Sequence, residues 1–170
     1  MRKIKYLALI IIGITVSNCS KNEIKKQNID DFINLYHIKD FSEFKDYTIA
    51  IRQKTFNETI YIVSDSDANI DDVICFVTVN KISGKIDKIK RVDQNLSNER
   101  EKQIESLIYK YRKYDFPYLS VDNDNNFSVN PFFIDMKPYL LFLHQERNKL
   151  KIKKNFMSFK YYKENWYVRD

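Results

Sequence analysis

Hydrophobic positions along this chain switch between two periods, and the switches mark its elements. Ile29, Phe32, Ile33 and Tyr36, with Leu35 beside them, recur at helical spacing. They predict a short helix over 29–38 with Asp30 and Asp31 in its first turn, where the dipole favours carboxylates. Residues 47–54 and 59–64 are rich in β-branched and aromatic side chains. Thr55-Phe56-Asn57-Glu58 separates them, which predicts a hairpin. Residues 73–80 and 85–92 form a second pair around Lys81-Ile82-Ser83-Gly84, where Gly84 supplies the positive φ the turn needs.

The helical period then returns. Ser97 or Asn98 caps a main helix over about 97–114, with Glu99 and Glu101 at its start and Lys110, Arg112 and Lys113 at its end. Ile104, Leu107, Ile108, Tyr111 and Tyr114 make one apolar stripe, and Pro117 lies just beyond. Residues 118–121 and 127–129 flank an Asp/Asn turn, 139–145 and 156–162 read as later strands, and 166–168 closes the chain. The expectation is an α+β fold: an antiparallel β-sheet of about seven to nine strands in hairpins, packed against one main helix, with a short N-terminal helix. No repeat or linker divides 29–170, so it reads as one domain.

The first residues follow another logic. Arg2, Lys3 and Lys5 precede an almost wholly apolar run of eleven residues, 6–16. A membrane-crossing helix needs about 20 such residues, whereas a secretion signal needs about 7 to 15. Val16-Ser17-Asn18-Cys19 and the polar Ser20-Lys21-Asn22-Glu23 come next. This stretch resembles the lipobox of bacterial lipoproteins, although Asn18 stands where Gly, Ala or Ser is commoner. The resemblance implies cleavage between Asn18 and Cys19, diacylglycerol on the Cys19 sulfur, and an acyl chain such as palmitate on the new amine. On this reading 1–18 is a signal peptide, 19–28 a lipidated tether and 29–170 the globular domain. Each buried methylene contributes about 0.8 kcal/mol, so two or three chains attach durably. Residues 20–28 reach about 30 Å at most. Ser20 after the cysteine, rather than Asp, implies sorting to an outer membrane of the cell envelope, with the periplasmic or surface face open. Asn165-Trp166-Tyr167 and the Val121-Asp122 turn are similar to features of uncharacterised small envelope lipoproteins, a resemblance that brings no activity with it.

Composition narrows the chemistry. Removing 1–18 leaves 26 basic against 23 acidic residues, a charge of +3, which with the compartment argues against a nucleic-acid partner. Cys19 and Cys75 are the two cysteines. Lipidation uses the first, and the second sits in apolar Val73-Ile74-Cys75-Phe76-Val77 as a small buried hydrophobe. Gly84 is the one glycine after Cys19, so phosphate loops, dinucleotide turns and nucleophile elbows have no recognisable counterpart.

The remaining candidates read as structural. Asp65 to Asp71 opens like a calcium loop but has Ile70 sixth and Phe76 twelfth, and Asp122 to Asn126 has Phe127 sixth. His37 and His144 lack a local triad or zinc motif. Glu99, Glu101 and Glu105 read as a solvated helix face. Arg147, Lys149, Lys151, Lys153 and Lys154 form a basic cluster near aromatics, the best candidate contact surface for anionic lipid, glycan or an acidic envelope protein. No catalytic residue, metal or cofactor is expected. The leading expectation is a non-enzymatic, lipid-anchored binding or accessory domain. The alternatives are an immunity or inhibitor protein against a toxin or enzyme, and a hydrolase with a dispersed site.

Overall fold

The structure, a computed structural model, describes residues 24–66, 72–144 and 159–170. Its first element is α1 (Lys26–Tyr36), which buries Ile29, Phe32 and Ile33 at i, i+3 and i+4. It starts three residues before the expected position and ends two earlier. Asp30 and Asp31 therefore fall outside its first turn, and the last three residues of the expected tether are helical. Gln27 donates to Asp31 one turn later at 2.7 Å, and Ile24 packs against the core ahead of the helix. These contacts give Lys26–Asn28 a reason to be helical that the apolar spacing alone does not show.

A four-strand meander follows: β1 (Tyr47–Lys54), β2 (Glu58–Asp65), β3 (Val73–Asn80) and β4 (Ile86–Arg91). The main helix is α2 (Asn98–Tyr111), shorter than the predicted 97–114 at its C-terminal end. Ser97 is its cap, accepting from the Arg100 N–H at 3.2 Å. The helix stops at Tyr111 because the backbone tightens there. Lys113 and Tyr114 bond three residues back, Asp115 takes a φ of 52°, and Pro117 cannot continue the ladder. The chain then forms β5 (Tyr118–Val121), β6 (Phe127–Asn130), β7 (Leu140–Phe142), β8 (Phe159–Lys163) and β9 (Trp166–Arg169).

The described strands form one antiparallel sheet in the order β4-β3-β2-β1-β5-β6-β7-β9-β8. The excursion through α2 returns the chain from the β4 edge to the centre, where β5 pairs with β1. Strands outnumber helices, but the helix-on-sheet arrangement is that of an α+β fold.

Both helices pack on one face. Ile49, Ile51, Tyr61, Val63, Cys75, Val77, Leu119, Val121, Val129 and Leu140 meet Ile104, Leu107, Ile108 and Tyr111 of α2 and the apolar side of α1. α1 lies across the strands. Its Asp30 pairs with Lys163 at the end of β8 at 2.9 Å, while its Tyr36 ring meets Phe116, just before β5, at 5.2 Å. Aromatic rings dominate this half of the core. Phe32 meets Trp166 edge-on at 6.0 Å, and Trp166 is wholly buried among Phe32, Phe127 and Phe142.

Candidate functional site

The opposite face of the sheet carries the feature most open to function. β1, β5 and β6 each have four consecutive buried residues, so these strands are covered on both sides. Pairing aligns Ser64 with Thr48, Thr48 with Ser120 and Ser120 with Ser128. Four hydroxyl side chains thus stand in one row across β2, β1, β5 and β6, on the face away from the helices, and all four are buried. Thr48 Oγ1 donates to Ser120 Oγ at 2.7 Å. The next row is Ile62, Ala50, Tyr118 and Asn130. The Tyr118 hydroxyl engages Ser128, Ser120 and Thr48. Burial pushes its pKa up, and these hydrogen bonds offset only part of that rise.

A short loop closes over the row. Thr48, Ala50, Ile62, Ser64, Tyr118 and Met136 line a shallow pocket with room for about one water molecule. Met136 reaches it from the 131–138 connection between β6 and β7, with a φ of 54° that places it in the left-handed region. Asn130 organises this connection while itself fully buried. Its amide donates to Asp135 Oδ1 at 2.7 Å and to the Lys137 carbonyl at 3.0 Å, and its carbonyl oxygen accepts from the Phe132 and Phe133 N–H groups. Arg169 of β9 fixes the other side. It bonds Asp135 at 2.7 Å, and its guanidinium lies over the Phe133 and Tyr139 rings. Arg169 Nη1 is buried without a hydrogen-bond partner among the described residues.

This arrangement suits a group no larger than a water molecule or a lone hydroxyl. The hydroxyls both donate and accept, the floor is apolar, and Tyr118 stays protonated at neutral pH. Sequence reading missed it, because the four positions lie on four strands and only the pairing register aligns them. The one local signal was the small polar residue at alternate positions in Tyr118-Leu119-Ser120-Val121 and Phe127-Ser128-Val129-Asn130.

The candidates named from sequence lie elsewhere. Asn18 and Cys19 are outside the described residues, as are Arg147, Lys149, Lys151, Lys153 and Lys154. His37 follows α1 with its ring against the Asn34 carbonyl, His144 follows β7, and both are exposed and away from the pocket. Asp40, near His144, is held below the usual carboxylate range, chiefly by the Ser42 N–H and then its hydroxyl. Asp65 pairs with Arg100, and 67–71 are outside the described residues.

The Asp122 carboxylate is engaged within its own turn. It accepts from the Asp124 N–H at 2.9 Å, and from the Asn126 N–H and side-chain amide at 2.8 Å each. Glu101 bonds Arg91 at 2.5 Å. Cys75 is fully buried, and burial, with a smaller push from Glu101, raises its thiol pKa to about 12. Among the described residues no group of three His, Cys, Asp or Glu side chains could hold a metal ion, and no helix is long and apolar enough to cross a membrane. Comparison of the chain with protein-family models, curated proteins and solved structures finds no match.

Proposed function

We propose that this chain is a lipid-anchored binding or accessory domain of the bacterial cell envelope, fastened by acyl chains on Cys19. The observation that carries the reading is the order of chemistry in the first nineteen residues: three cations, an eleven-residue apolar run, then Val16-Ser17-Asn18-Cys19. The start of α1 supports it. Only 20–25 separate Cys19 from Lys26, so an anchored domain sits within about 20 Å of its lipid. Anionic lipid, glycan or an acidic envelope protein remains the proposed partner class for Arg147, Lys149, Lys151, Lys153 and Lys154, and the outer membrane the proposed location.

Metabolic labelling with a radioactive fatty acid tests the anchor. The wild-type chain is expected to take up label and fractionate with membranes, and Cys19→Ser to lose both. Equal labelling of the two would overturn the proposal.

A further inference from the structure

Four connections share one end of the sheet: the β1–β2 turn, the β3–β4 turn, the α2–β5 junction and the 131–138 loop. The first two are bonded side by side, since the Lys81 N–H donates to the Asn57 carbonyl and Lys81 Nζ to the Thr55 carbonyl, both at 2.8 Å. Each tip presents a large apolar residue almost wholly to water, Phe56 at 88% and Ile82 at 80% exposure. A hairpin tip ordinarily carries polar residues, and leaving two such groups in water forfeits burial on both. Cations surround them. Lys54, Lys81, Lys85, Arg112 and Lys113 lie at this end against Glu58 and Asp115, and Lys54 pairs with Asp115 at 2.7 Å. Arg112 bonds the Gly84 carbonyl, tying the β3–β4 tip to the end of α2.

We propose that this end docks on an anionic bilayer, with Phe56 and Ile82 entering the interfacial layer and the lysines meeting lipid phosphates. Apolar tips inside a cationic collar match the two layers of such a surface, acyl boundary within and negative head groups around it. The inference rests on the anchoring proposal only for what brings the domain to a membrane.

The test uses the mature protein as isolated from membranes, placed in vesicles of phosphatidylglycerol and phosphatidylcholine with brominated acyl chains. Trp166 is fully buried and gives a constant background. Phe56→Trp is expected to shift its emission to the blue and be quenched. Leu35→Trp, at an exposed site on α1, is expected to stay unquenched. Replacing Lys81 or Lys85 by Gln should weaken tip insertion about fivefold each. Phe56→Trp quenched no more than Leu35→Trp would overturn the inference, as would lipid-free self-association abolished by Phe56→Ser, which would make the occupant a second copy. Membrane attachment through Cys19 with an unquenched Phe56→Trp defeats this inference alone. A quenched tip on a chain without an acyl adduct defeats the anchor alone.

Discussion

The Thr48–Ser120 contact at the middle of the hydroxyl row lends itself to a double-mutant cycle. Both residues are 8% exposed, and the bond between their oxygens is 2.7 Å long. Thr48→Val keeps the shape of the side chain and removes the donor, while Ser120→Ala removes the acceptor. Either change alone leaves a hydroxyl buried short of a partner, at about 1–2 kcal/mol. The two single changes should cost about the same, since the Tyr118 hydroxyl engages both Ser120 and Thr48. Removing both replaces a polar pair by an apolar one, so the double variant should lie near the costlier single variant, a coupling of about 1 kcal/mol. With an m-value of about 2 kcal/mol/M in urea, each single change lowers the midpoint by about 0.5–1 M, readable by circular dichroism. Additive losses, with coupling below about 0.3 kcal/mol, would refute the claim that these hydroxyls act as one buried unit.

Three further outcomes follow from particular side chains. Burial raises the pKa of Cys75 from 9.0 to about 12, that of Tyr61 from 10.0 to about 12, and those of Tyr111 and Tyr118 upward. The native state thus keeps protons that the unfolded chain releases. Stability is full below pH 9, and for each group falls by up to about 1.4 kcal/mol per pH unit above its unfolded pKa. Urea midpoints measured from pH 8 to 11 should drop with that slope, and Cys75→Ala should remove the part between pH 9 and 10; a flat profile would contradict the burial argument. Ser97→Ala should cost about 1 kcal/mol by removing the α2 cap, whereas Ser97→Asp should keep most of it, as thermal unfolding would report. Asn130→Ala strips four hydrogen bonds from the 131–138 loop. It should cost about 2–3 kcal/mol and raise amide exchange there more than in β1; uniform exchange would argue against Asn130 as the organiser.

Local chemistry made much of the fold readable. Strands 47–54, 73–80 and 118–121 coincide with their predicted ranges, because β-branched and aromatic composition and flanking turn residues both speak there. The helices were harder at their ends. α1 begins at Lys26 through the Gln27–Asp31 bond and the docking of Ile24, which hydrophobic spacing does not encode. α2 stops at Tyr111 because that ring is buried and its hydroxyl lies 2.7 Å from the Phe116 carbonyl, a tertiary contact. β7 is shorter than the predicted 139–145 strand, spanning Leu140–Phe142, and pairs with Trp166–Val168 from the far end of the chain.

The sites divide in the same way. The lipidation signal is contiguous and needs no fold to be read. The hydroxyl row joins residues as distant as Thr48 and Ser128, and the loop hub joins Asn130, Asp135 and Arg169. No single segment carries either pattern, so both emerge only once strand register and a distant β9 are in place.

Mass spectrometry of the N-terminal peptide, taken from protein extracted from native membranes, bears most directly on the anchored-domain account. The account predicts a mature chain whose first residue is Cys19, carrying a thioether-linked diacylglycerol. A chain beginning at any other residue, or an unmodified Cys19, would contradict it.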